Sequence, residues 1–170
     1  TDFGTLVHEQ IELSLLGKPI LESFSFSDSV KSISKIIKEH FSKGSYLLEQ
    51  TLWNEEYKIA GTSDLIVDNG DNFSIVDFKT NKQIKYTNDY DSKNLLKPVN
   101  HLPNGEYFKY ALQLSFYAYL YSIQNDKTPY RLSFYWLKRK NNSYEDSTNS
   151  KWVRYNVPYL KEEVESLLNY

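Results

Sequence analysis

The chain has 170 residues, 40% of them hydrophobic, and carries a formal net charge of −2, which suits one soluble globular domain with a real core and requires no second. It has no cysteine, which removes disulfides, thiolate zinc sites and cysteine-ligated iron–sulfur clusters together. The charge does not advertise nucleic-acid binding, so any phosphate contact must come from a local patch.

Methionine is also absent, so either the initiator was removed or the segment belongs to something longer. No signal peptide is visible, and the longest apolar run, Ala111 to Tyr121, is too short and too tyrosine-rich to span a bilayer. The expectation is an intracellular protein without a membrane partner, cytoplasmic or nucleoid-associated and bacterial or phage-like. Tyr and Phe number 15 and 9 and could offer stacking surfaces, although a Lys/Asn/Ile/Tyr-rich composition reads first as codon bias.

Phe3, Leu6, Val7, Ile11 and Leu15 recur at helical spacing, and Gly17-Lys18-Pro19 closes that helix. His8 sits beside the stripe with Thr5 and Glu12 one turn either way, so it can look past the core edge. A second helix carries Val30, Ile33, Ile37 and Phe41; Asp28 is its expected cap, its end is expected near Lys43-Gly44, and His40 falls at its C-terminal end. Ser45 to Glu55 reads as a strand with one acid, Glu49, among apolar neighbours. That acid either faces solvent or belongs to a metal site, directly or as an outer carboxylate.

The stretch Gly61 to Lys82 reads as a β-hairpin. Apolar and polar residues alternate in YKIAGTSDLIV and FSIVDFKT, and Asn69-Gly70 between them favours a type I′ turn. A turn symmetric about that pair sets Val67 against Asn72, Asp64 against Ile75 and Thr62 against Asp77. Asp64 and Asp77 then become diagonal neighbours on one face, about 7 Å apart at the backbone, with Lys79 following on the same face. A one-residue bulge would break that arrangement. Two carboxylates so placed can bind a hard divalent cation, while a lysine beside them can act on a water or on phosphate charge. The alternative is a hairpin with a solvated surface ion pair.

Residues 81–104 show no clear periodicity and are expected to form a lid or a flexible insertion. They carry Lys82, Lys85, Lys93 and Lys97, interleaved with Tyr86 and Tyr90, a pattern that can track a phosphate backbone and stack bases, diluted by Asp89 and Asp91. Asn104 is the expected cap of an apolar helix, EYFKYALQLSFYAYLYSIQ, in which Gln113 and Tyr117 share a face. Tyr130 to Lys138 and Lys151 to Val157 read as a closing hairpin. Lys138-Arg139-Lys140 is the most basic spot, and Pro158 is expected to open a last amphipathic helix.

Four segments in this order, GTLVH (Gly4 to His8), GTSDLIVD (Gly61 to Asp68), IVDFKT (Ile75 to Thr80) and QLSFY (Gln113 to Tyr117), resemble the motifs of PD-(D/E)xK nucleases of the RecB type. That group includes the nuclease domains of RecB and AddB and the mitochondrial genome maintenance exonuclease. The resemblance implies an α/β fold with a restriction-endonuclease-like core, a central mixed sheet of about five strands flanked by helices. It makes His8, Asp64 and Asp77 metal ligands, matches Glu49 less securely to a strand glutamate, and gives Lys79 the catalytic role. It assigns Gln113 and Tyr117 to holding DNA near the site, beside the lysines of 81–104. The cofactor implied is Mg²⁺ or Mn²⁺, with no iron–sulfur cluster for want of cysteine. The activity implied is a metal-dependent DNA nuclease, an exonuclease working on ends or single strands in recombination, repair or replication, with a helicase or recombination partner. The alternatives are a non-catalytic nucleic-acid-binding or adaptor domain that keeps the fold, and a structure-specific or restriction-type endonuclease.

Overall fold

The computed structural model describes residues 2–87 and 94–170. Its elements follow the expected order: α1 (Phe3–Leu15), α2 (Ser27–His40), β1 (Ser45–Asn54), β2 (Ile59–Asp68), β3 (Asn72–Lys79), α3 (Glu106–Asn125), β4 (Thr128–Lys138), β5 (Lys151–Val157) and α4 (Lys161–Leu168). The five strands form one sheet in the order β1-β2-β3-β4-β5. Every neighbouring pair is antiparallel except β3 and β4, which are parallel. Parallel neighbours need a crossover, and α3 supplies it.

Strand alternation gives the sheet two apolar faces, and each takes its own helices. Val7 and Ile11 of α1 and Val30, Ile33 and Ile37 of α2 pack on Leu65, Val67, Val76, Phe78 and Tyr135. On the opposite face Ala111, Leu114 and Ala118 of α3 cover Ile66, Phe73, Ile75, Leu132 and Phe134. The result is a mixed five-stranded sheet between helices, an α/β restriction-endonuclease-like architecture. No helix among the described residues is long and apolar enough to cross a membrane.

Several local expectations need correction. The N-cap of α3 is Gly105, not Asn104, and no side chain caps it. Gly105 is pressed so close to Tyr86 that a Cβ there would overlap its backbone, a fit only glycine permits. Asp28 lies inside the first turn of α2, where it complements the helix dipole rather than capping, and that helix ends at His40, ahead of Lys43-Gly44. The last helix begins at Lys161, three residues after Pro158. Within residues 81–104, expected to be a lid or a flexible insertion, Val99 and Leu102 are buried and Asn94 bridges to Pro103, which overturns neither reading, and Tyr90, Asp89, Asp91 and Lys93 lie outside the described residues.

The hairpin turn also differs. Asp68 pairs with Phe73, and the Asn69 N–H donates to the Asn72 carbonyl at 2.8 Å, so the loop is Gly70-Asp71. Positive φ falls on Gly70 and not on Asn69 or Asp71, which is the type II′ pattern rather than I′. The cause is a knot around Asp68. Its carboxylate accepts from the Gly70 N–H at 2.8 Å, from Lys127 Nζ at 2.8 and 2.7 Å and from the Tyr121 hydroxyl at 2.5 Å.

Burial alone opposes ionisation of Asp68, but the bonds from Lys127, Tyr121 and Gly70 hold its carboxyl below the ordinary 3.8. A lowered folded value contributes stability above the ordinary pKa that is lost as pH falls through the folded one. Asp68→Ala strands a hydroxyl and an ammonium, so it should cost about 2–3 kcal/mol in urea unfolding. Below pH 3.8 the wild type should lose stability faster than Asp68→Asn; parallel acid profiles would contradict this account of the turn.

Candidate metal centre and catalytic lysine

Along β3 the row that faces α3 begins with the apolar Phe73 and Ile75 and continues into Asp77 and Lys79, while Phe78 turns into the core on the opposite face. The β2–β3 ladder stops at the pair Leu65 and Val76. One step further Asp64 stands opposite Asp77, and there the sheet forks: β2 continues against β1, and β3 continues against β4. The Phe78 N–H no longer has a strand partner on that side and donates to Asp64 Oδ2 at 2.9 Å. The expected register is therefore wrong by two residues. Val67 faces Ser74 and Ile66 faces Ile75, so the pairs Val67–Asn72, Asp64–Ile75 and Thr62–Asp77 do not form. A shift of two preserves the face, and it turns the expected diagonal of acids into a direct opposition.

The site links both helical layers through these strands. From α1, His8 Nε2 donates to the Phe78 carbonyl at 2.7 Å and lies 3.7 Å from Asp64 Oδ2. That bond sets the proton on Nε2, so ligation through this nitrogen requires the other tautomer. From β3, Lys79 Nζ is 2.6 Å from Asp77 Oδ2 and donates to Gln113 Oε1 of α3 at 2.7 Å. Gln113 Nε2 in turn donates to the Tyr117 hydroxyl at 3.1 Å. Lys79 is 15% exposed and Asp77 6% at the side chain, so the ammonium is held in one place with little water around it.

Glu49 stands level with Asp64 in the β1–β2 register, between the pairs Leu48–Leu65 and Gln50–Ser63, and takes a left-handed φ of 50°. It is exposed. Desolvation by the surrounding chain pushes its carboxyl up, as do the charges of Glu12 and Asp77, while His8 pulls it down; Glu49 thus shares the electrostatic field of the centre. Among the DNA-contact candidates, Lys82 and Lys97 are exposed. The Lys85 backbone is tied to α3 through Glu106 Oε2 at 3.1 Å and the Tyr107 N–H at 3.0 Å, and no contact among the described residues brings Lys97 to the acids.

Two contributors lie outside the expected site residues. Tyr110, one turn before Gln113 on α3, sets its ring 4.3 Å from Lys79 Nζ, a cation–π contact that backs the ammonium. It reads as core in an apolar helix, and its spacing of three from Gln113 is the only clue. The second is Gly61. A Cβ there would stand 2.9 Å from Tyr117 Cε1, so the strand must be bare for the tyrosine to seat. Gly61→Ala should push Tyr117 off Gln113 and loosen Lys79, lowering turnover about tenfold to a hundredfold at a stability cost of about 1–3 kcal/mol. Full turnover with lowered thermal stability would reduce Gly61 to a packing role.

Burial and the neighbouring Asp77 charge raise the Asp64 carboxyl well above the usual range. Two acids with one ammonium leave the cluster short of positive charge. Burial first, and then the Asp77 charge, likewise raise the Tyr117 hydroxyl to about 12, which keeps it neutral as a hydrogen-bonding group. Among the described residues no three His, Asp or Glu side chains converge as a ready-made cage. Two carboxylates with an adjacent imidazole nevertheless fit a hard cation of the Mg²⁺ kind, which takes one or two carboxylates and completes its shell with water and substrate oxygens.

Paired acids at a sheet fork with a lysine beside them are groups that could hold a cation and act on phosphate charge. The chain belongs to the PD-(D/E)XK nuclease superfamily, whose model matches residues 26–169. That match starts after His8. No curated protein matches the chain. Among solved structures it is similar to a protein from Eubacterium rectale provisionally named an exonuclease, with a TM-score of 0.56 and 12% identity over 99% of this chain. That likeness bears on fold alone, and this chain spans 64% of the length of that protein. A second likeness, to SSO0001, has a TM-score of 0.35 and 14% identity over 98% of this chain and 82% of that one, and carries no argument.

Proposed function

We propose that this protein is a Mg²⁺- or Mn²⁺-dependent DNA nuclease of the RecB-like type that degrades single-stranded or frayed DNA from its ends. The observation that carries the reading is the opposition of Asp64 and Asp77 at the fork, with Lys79 fixed by Asp77, Gln113 and Tyr110. Asp64, Asp77 and His8 would hold the cation, and Glu49 can join from β1. When bound, the cation supplies polarisation of the phosphoryl oxygen and a lower pKa for water. Lys79 sets its positive charge near charge that develops on the phosphate, at little cost of reorganisation because Asp77, Gln113 and Tyr110 already fix Nζ. Gln113 and Tyr117 position that lysine, a task they combine with contact to DNA.

The complete set of acids and lysine favours an enzyme over an adaptor domain that keeps the fold. Burial of the acids and the lysine between α1 and α3 supports a preference for ends, since a flexible strand reaches such groups more readily than a stiff duplex, and Lys82, Lys85, Lys93 and Lys97 would follow its backbone. Work on ends suits recombination, repair or replication beside a helicase. With Mn²⁺ present, a linear labelled strand should shorten progressively while a single-stranded circle of the same sequence resists. Equal cutting of both would replace the exonuclease by an endonuclease and leave the metal chemistry standing.

A further inference from the structure

We infer that the cleft at the carboxyl ends of β3 and β4 is a nucleobase subsite, which seats one unstacked base of the substrate strand next to the scissile phosphate; this rests on the nuclease reading. The cleft measures about 670 Å³ and is walled by Phe3, Gly4, Phe24, Thr80, Asn81 and Tyr144. Its place is the first argument. Thr80 directly follows Lys79, and Gly4 lies one helical turn before His8; α1 and the strand end touch here, since a Cβ on Gly4 would stand 3.1 Å from Thr80 Oγ1. Lys79 turns toward α3 and Thr80 toward α1, so the cleft adjoins the centre on the α1 side, one turn from His8, at the carboxyl end of β3 where α/β sheets bind ligands.

The walls are the second argument. Phe3 packs against Phe24 at 6.1 Å and Tyr144 at 5.3 Å between ring centroids, so three rings form one aromatic lining. Arg139, the centre of the basic triplet, is buried, with its guanidinium 4.6 Å from the Phe3 ring and 5.3 Å from the Tyr144 ring. Its Nη1 donates to the Thr80 carbonyl at 2.6 Å. The guanidinium therefore ties Phe3 and Tyr144 to the end of the catalytic strand, and a stacking wall fixed in this way loses little freedom when a base arrives.

Polarity decides which part of a nucleotide enters. Asp2 and Glu145 also line the cleft, and their carboxylates repel a phosphate; both Asp2 oxygens already accept from Thr5 in capping α1, which leaves Glu145 to accept from a base amino group. Asn81, another lining residue, has its Oδ1 buried with no hydrogen-bond partner among the described residues. The exposed Lys138 and Lys140, on either side of Arg139, remain outside for the backbone. Base in and backbone out is the arrangement of sequence-tolerant single-strand binding.

The test is single-turnover cleavage, with Mn²⁺, of linear single-stranded oligonucleotides that carry one abasic residue at successive positions from the end. Wild type should be slowed about tenfold by an abasic residue at one position beside the cut and hardly at the others. Tyr144 is 56% exposed, so Tyr144→Ala can be made without loss of the fold. It should cut the intact strand about tenfold more slowly and show no further loss with the abasic one, while Tyr144→Phe behaves as wild type. Cleavage indifferent to every abasic position, or Tyr144→Ala retaining the wild-type discrimination, would overturn the subsite and leave the nuclease standing. Absence of cleavage from every oligonucleotide would overturn both.

Discussion

Asp77→Ala is expected to abolish cleavage and divalent-cation binding together. The carboxylate is buried, stands opposite Asp64 at the fork and engages Lys79 at 2.6 Å. Its removal takes away half of the anionic donor set and the nearest partner of the lysine in one step. The fold should survive, because the neighbouring acid already raises the Asp64 carboxyl, so removal of one of two crowded negative charges relieves repulsion. Calorimetric titration with Mn²⁺ should therefore lose its signal in a protein whose thermal midpoint is unchanged or higher. Unchanged metal affinity would remove Asp77 from the ligand set.

Lys79→Ala should differ in kind. Metal binding is expected to persist, and KM to change little, while kcat falls by about a thousandfold or more, the scale set by loss of a preorganised donor to transition-state charge. Gln113 Oε1 then loses its donor and Tyr110 its cation, which costs about 1–2 kcal/mol of stability and leaves most molecules folded. Lys79→Arg should not rescue, because a planar guanidinium cannot occupy the ammonium's place between Asp77, Gln113 and the Tyr110 ring. Cleavage within a few-fold of wild type would reduce Lys79 to a structural partner of Asp77 and Gln113.

Much of this centre was legible in the chain. The alternation of FSIVDFKT put Asp77 and Lys79 on one face, and the spacing of four joined Gln113 to Tyr117; both relations follow from local geometry and hold in the fold. The helix stripes of α1 and α2 were equally plain, because buried apolar residues at helical spacing have few other uses. The register was not. Asn-Gly is a strong local turn signal, but Lys127 and Tyr121, more than fifty residues away, fix the Asp68 carboxylate that holds the Gly70 N–H, and no turn rule sees them. Tyr110 and Arg139 were not among the expected site residues: one lies in an apolar helix, the other in the most basic triplet of the chain. Each is defined by what the tertiary fold sets against it, Lys79 in one case and the Phe3 and Tyr144 rings in the other.

The most direct measurement is cleavage of end-labelled DNA by the purified wild type and by Lys79→Ala, side by side, with Mg²⁺, with Mn²⁺ and with excess chelator. The account predicts cutting by the wild type with either cation, none in chelator, recovery when the cation is restored, and loss in the variant under every condition. Full cutting in chelator, or cutting by the variant at the wild-type rate, would contradict it.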